Sequence, residues 1–146
     1  MQGIEKEEIR FTIGQLAKIS GTNLSTVRYY QRIGLVDVPD RNKASFRVYC
    51  IADLHRLQQI KGAQELGFTL SEIGQLLDAA DGDHCGKAVS AIKAKLAETE
   101  SKAEKLALAS AKLKELISLC GGGCPTGNCR VLHELENFGY GTLNHE

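Results

Sequence analysis

FTIGQLAKISGTNLSTVRYYQRIGLV, residues 11–36, is the stretch that decides how this chain folds. Thr12 is a good N-cap, and Ile13, Leu16 and Ala17 follow at helical spacing, so a first helix is predicted to start there. SGTN (20–23) interrupts it, a second helix is predicted over 24–33, and Gly34 supplies the stop. Two short helices joined by a glycine-containing turn read as a helix-turn-helix. Val27 and Tyr30 share the inner face of the second helix, which leaves Ser25, Thr26, Arg28 and Tyr29 pointing outward. Hydrogen-bonding and cationic side chains on an exposed helix face are what contact with base edges and phosphates of double-stranded DNA requires.

Downstream, VPDRNKASFRVY (38–49) changes character. Pro39 disfavours helix, RNKAS is turn-like and FRVY alternates as a short strand does. A small basic hairpin is expected here, a wing offering Arg41, Lys43 and Arg47 to phosphates. Asp53 and Leu54 are expected to open a third helix with Leu57, Ile60, Ala63 and Leu66 as its apolar stripe, ending at Gly67. FTLSEIGQLL (68–77) supplies a new N-cap, Thr69 or Ser71, and a fourth helix that stops near Gly82. Cys50, at the junction of hairpin and helix with no cysteine neighbour, reads as a small buried residue.

The formal net charge of zero hides an asymmetry. Residues 11–61 hold eight Lys/Arg against three Asp, and the acidic excess lies on either side. A basic N-terminal half points to a local anionic partner. No apolar run reaches the length of a membrane span, and MQGIEKEEIR at the start has no apolar signal core, so a cytoplasmic location with no membrane partner is expected. No nucleophile–base pair or phosphate-binding glycine motif appears, so an enzyme is not expected.

From Cys85 onward the pattern lengthens. Val89, Ile92, Leu96, Thr99, Ala103, Leu106, Ser110, Leu113, Ile117 and Cys120 recur at gaps of three and four, a coiled-coil seam along one long helix. Such a stripe needs a partner helix, and a homodimer is the simplest source. The helix leads into ISLCGGGCPTGNCRVL (117–132), a glycine-rich loop carrying Cys120, Cys124 and Cys129. In a reducing compartment clustered cysteines are metal ligands or redox groups more often than disulfides.

FTIGQLAKISGTNLSTVRYYQRIGLV, then FRVY, then LGFTLSEIGQLL (66–77) together resemble the MerR family of transcriptional regulators. The resemblance spans nearly the whole chain and implies a mainly α fold. Residues 11–80 would form a winged helix-turn-helix DNA-binding domain and 81–120 a dimerisation helix in an antiparallel coiled coil. A metal-binding loop over 120–130 and a short C-terminal segment over 131–146 would follow. It further implies a homodimer on promoter DNA that represses without effector, then distorts the DNA so that RNA polymerase engages it. Such distortion costs only several kcal/mol by elastic estimates.

The resemblance also selects a metal. Cys85, Cys120 and Cys129 match the metal-binding cysteines of mercury-responsive members, at the same intervals of 35 and 9 residues. In members sensing monovalent copper, silver or gold the position of Cys85 is a serine. The implied effector is therefore Hg(II) on three cysteines. Cys124, an extra thiol in the loop, is a departure that leaves a fourth ligand open, and with it Cd(II), Pb(II) or Zn(II). His84 and His133 flank the cysteines and read as solvated or supporting residues rather than direct ligands.

Helix geometry constrains such a site. A rise of about 1.5 Å per residue puts Cys85 and Cys120 of one chain roughly 50 Å apart, whereas thiolates sharing a metal each lie about 2.3 Å from it. An antiparallel dimer brings Cys85 of one subunit beside Cys120 and Cys129 of the other, giving two sites per dimer. Two further readings compete. An iron–sulfur redox regulator of the same fold needs four grouped cysteines per chain, and CGGGCPTGNC has three. A thiol-rich metal buffer or structural zinc module leaves the recognition helix and wing without a role.

Overall fold

The computed structural model describes residues 9–42, 46–82, 84–121 and 129–143, with the side chains of 140–143 left aside. Its elements are β1 (Arg10–Phe11), α1 (Ile13–Ser20), α2 (Leu24–Arg32), β2 (Tyr49–Cys50), α3 (Ile51–Glu65), α4 (Leu70–Asp81), α5 (Cys85–Leu119) and α6 (Arg130–Leu143). The fold is mainly α, with a winged helix-turn-helix and a long helix. The chain divides into two compact units, Met1–Lys95 and Leu96–Glu146.

In the first unit local chemistry sets the helix starts. Thr12 Oγ1 accepts the Gln15 N–H at 3.2 Å while Gln15 Oε1 accepts the Thr12 N–H at 2.9 Å, a reciprocal box that fixes the start of α1. Thr69 and Glu72 repeat it at α4. Of the two caps expected there, Thr69 is the one used. At the end of α1, Gly21 takes a left-handed φ of 65°, which turns the chain into α2. Leu16, Ala17, Val27, Tyr30, Val36, Tyr49, Leu54, Leu57, Ile60, Phe68 and Ile73 form one buried core. The inner-face assignment of Val27 and Tyr30 and the stripe Leu57–Ile60 hold, because each recurs on the side of its helix that meets the others.

Four local readings need correction. Helix α3 begins at Ile51, not at Asp53, because the Asp53 carboxylate reaches back to accept the Cys50 N–H at 2.7 Å and caps the helix two residues earlier. Cys50 is therefore an exposed N-cap rather than a buried filler. Leu66, expected on the apolar stripe, is 71% exposed, since α3 ends at Glu65 and the chain turns at Gly67. The wing strand is also shorter than FRVY. Tyr49 and Cys50 pair antiparallel with Phe11 and Arg10, and an isolated bridge joins Arg41 to Arg47.

Helix α5 runs unbroken over 35 residues, as the absence of proline, and of glycine after Gly86, predicts. In the second unit α6 was not anticipated: Lys112 on α5 pairs with Glu134 on α6, which ties that helix in place. Seam residues Leu96, Leu106, Leu113 and Ile117 are exposed in the single chain. No helix of the described residues is long and apolar enough to cross a membrane.

Candidate nucleic-acid interface and metal centre

Because α2 buries Val27 and Tyr30, its opposite side is fixed. Ser25, Arg28 and Tyr29 are exposed and Thr26 is half-buried. Tyr30 donates its hydroxyl hydrogen to Gln64 Oε1 at 3.0 Å, locking α2 onto α3. Arg32 lies 5.7 Å over the Tyr29 ring, a cation–π contact that restrains both side chains on the outer face. Gln31, which sequence reasoning passed over, donates to the Tyr49 hydroxyl at 2.8 Å and joins the recognition helix to the base of the wing. Its signal was its spacing, four residues after Val27 and so at the edge of the inner face.

Beside α2 the wing closes on itself. Asn42 Oδ1 accepts the Phe46 N–H at 3.0 Å, and the Asn42 N–H donates to the Phe46 carbonyl at 2.7 Å. With the Arg41–Arg47 bridge, these bonds hold two arginines side by side. A groove of 380 Å³ runs between wing and helix, lined by Arg28, Gln31, Arg41, Phe46, Arg47 and Tyr49 with the start of α1. None of Arg28, Arg41 and Arg47 has an ion pair with a carboxylate of the described residues. Three guanidiniums on one groove, none paired with a described carboxylate, have the chemistry to hold phosphate oxygens. Lys43, expected on the wing, lies outside the described residues.

The cysteines sit at element ends. Cys85 is the first residue of α5 and exposed, with the His84 carbonyl accepting the N–H groups of Lys87 and Ala88. Cys120 follows the last residue of α5 and is exposed, and Cys129 immediately precedes α6 and is half-buried. Cys124 lies outside the described residues. His133 sits 3.7 Å from Glu136 through Nδ1. Among the described residues no three His, Cys, Asp or Glu side chains of the chain gather into a metal-holding group. Cys85, Cys120 and Cys129 offer soft thiolate donors, which suit a thiophilic ion rather than Mg²⁺ or Ca²⁺.

Comparison with known proteins follows the same division of labour. Residues 11–80 match the family model described as MerR HTH family regulatory protein, and residues 54–116 match that described as MerR, DNA binding. The mercuric resistance operon regulatory protein of Serratia marcescens is 39% identical over 133 residues, covering 91% of this chain and 92% of that protein. The crystal structure of the transcriptional regulator MerR from Bacillus megaterium MB1 with mercury(II) is similar with a TM-score of 0.66 at 32% identity, covering 86% of this chain and 99% of that one. The regulator PbrR691 from Ralstonia metallidurans CH34 with lead(II) is similar with a TM-score of 0.71 at 31% identity, covering 86% and 98%.

Proposed function

The chain belongs to the MerR family of helix-turn-helix transcriptional regulators, and from that premise we propose that it is a mercury(II)-responsive regulator of a metal-resistance operon. In this reading residues 11–80 hold promoter DNA through Ser25, Thr26, Arg28 and Tyr29 of α2 and Arg41, Lys43 and Arg47 of the wing. Residues 81–120 pair two copies antiparallel, and the loop 120–130 completes the metal site. The protein works in the cytoplasm, represses without metal, and on binding metal distorts the promoter so that RNA polymerase engages it.

The observation that carries the reading is the placement of Cys85 and Cys120 at opposite ends of one unbroken helix. At about 1.5 Å per residue they stand roughly 50 Å apart and serve different ions unless a second chain intervenes. The exposed apolar seam between them is the surface that would bring that chain. Cys85 of one subunit then meets Cys120 and Cys129 of the other. Thiol deprotonation on binding couples metal affinity to pH and to order in the loop.

Co-expression of Cys85→Ser with Cys120→Ser tests the arrangement. The purified heterodimer should bind mercury tightly at one site while each mutant homodimer binds at none. Loss of tight binding in the heterodimer overturns the shared site. A second reading, a lead-, cadmium- or zinc-responsive regulator, draws on the likeness to the lead-bound regulator and on the extra thiol Cys124.

A further inference from the structure

We propose that Gln31 is a positioning residue for DNA binding, which sets the spacing between the recognition helix and the wing without a phosphate contact of its own. This rests on the DNA-binding reading above and adds to it a residue that acts through others. The Gln31 amide nitrogen donates twice, to the Tyr49 hydroxyl at 2.8 Å and to the Asp37 carbonyl at 3.3 Å. A main-chain carbonyl can only accept, so the nitrogen of the amide, not its oxygen, faces the wing. Both amide hydrogens are thereby committed inside the protein, and none is left for a phosphate oxygen. Asp37 stands four residues before Arg41, and Tyr49 two residues after Arg47. One side chain of α2 therefore holds both legs of the hairpin at its root. The hold is firm at its far end, because Tyr49 is 1% exposed, belongs to the core and pairs with Phe11 of β1.

Position on the helix gives these bonds their consequence. Arg28 lies three residues before Gln31, a neighbour on the same side of α2. Both line the groove whose other wall carries Arg41 and Arg47. Gln31 thus fixes how far the helix guanidinium stands from the wing guanidiniums. Phosphates along a duplex come at a set spacing, so cations held at a fixed separation engage together. A wing free to swing must first be ordered, at a cost to affinity.

Gln31 carries no charge, and that makes the test selective. Loss of an uncharged contact to DNA lowers affinity but releases the same counterions, whereas disengaged arginines flatten the dependence of log affinity on log salt. The probe is a fluorescent duplex recovered from a random-sequence pool by the wild-type full-length protein. It is titrated by anisotropy at several salt concentrations, well below the melting temperature, with the active fraction fixed by stoichiometric titration. Gln31→Met, close in length and unable to donate, should weaken binding about 5- to 10-fold at low salt. It should also flatten the slope by about 1 for each wing arginine that disengages. Tyr49→Phe removes one of the two acceptors, keeps the buried ring and should give a smaller change of the same kind. Combined with Gln31→Met it should add nothing, since that bond is already gone. Additive losses overturn the shared hold, and wild-type affinity in Gln31→Met overturns the proposal outright. A fall in affinity at the wild-type slope overturns it too, because the side chain would then touch the DNA itself or serve only the fold. Recovery of no duplex by the wild-type protein would instead overturn the DNA-binding reading itself.

Discussion

Lys95 Nζ lies 3.0 Å from Glu72 Oε2 and 5.4 Å from the centroid of the Phe68 ring. Lys95 is buried, an uncommon place for an ammonium, and it is held there by a carboxylate and an aromatic face. Glu72 also closes the capping box of α4. One carboxylate thus starts α4 and anchors α5 to it, linking the last helix of the DNA-binding part to the first turns of the long helix. Replacing Lys95 with Met should preserve the apolar stem and lose the link. The expected result is normal mercury stoichiometry with a weakened transcriptional response to the metal, measured by run-off transcription.

Acid sensitivity follows from the same pair. The Thr69 N–H first, and Lys95 second, hold the Glu72 carboxyl below its ordinary value of 4.5. A depressed folded value means that the contact contributes stability above about pH 4.5 and loses it as pH falls through the lower folded value. Thermal melts should therefore show a fall in Tm on acidification through that window. Glu72→Gln should be less stable at neutral pH and lose this part of the acid dependence. An unaltered acid profile in Glu72→Gln would remove Glu72 from the account.

Arg28→Ala should weaken binding to the selected duplex without metal by about 10-fold, within the range of one side chain lost at a base edge or phosphate. Because Arg28 is exposed and has no ion pair with a described carboxylate, Tm and bound mercury should stay at wild-type values. A variant with normal affinity takes Arg28 off the interface.

Gly67 tests the backbone alone. Its φ is +88°, and a Cβ built there meets nothing within 4 Å. Substitution by Ala therefore carries the left-handed conformational penalty without a clash, about 1–2 kcal/mol. Denaturant unfolding should show that loss with an unchanged m-value.

What the sequence made legible was local. Thr12, Gly21, Gly34, Thr69 and Gly82 announce helix starts and stops through their own side chains or lack of one, and each falls where expected. Pairings between distant segments were not legible. Nothing in RF or YC alone says that Arg10 lies opposite Cys50. Helix α6 was hidden for the same reason: Arg130–Leu143 contains Gly139 and Gly141, poor helix residues, and its tie to α5 is a contact between Lys112 and Glu134. The cysteines are legible by type and interval as a soft donor set, and on the shared-site proposal their assembly would take a second chain.

The proposed dependence on a second chain makes the seam testable. Leu106 and Leu113 lie on the seam of α5 and are 70% and 60% exposed. Changing both to Glu should convert a dimer to a monomer in sedimentation while leaving the core from Leu16 to Ile73 folded. Mercury stoichiometry and tight DNA binding should fall together, because one chain holds neither a complete thiolate set nor two recognition helices. A monomer that still bound mercury tightly would show that the thiolates assemble within one chain.

Cys124 decides between the two metal readings. If Cys85, Cys120 and Cys129 make the site, Cys124→Ser should respond to mercury as wild type does, because three thiolates satisfy a soft ion that needs no fourth ligand. Cys129→Ser should lose the response. If the site is four-thiolate, as tetrahedral zinc coordination favours, Cys124→Ser should lose response to zinc, cadmium or lead first. The measurement is transcription from the responsive promoter across a panel of the four metals. Loss of the mercury response in Cys124→Ser would exclude the three-thiolate site, because that site assigns Cys124 no bond to the ion.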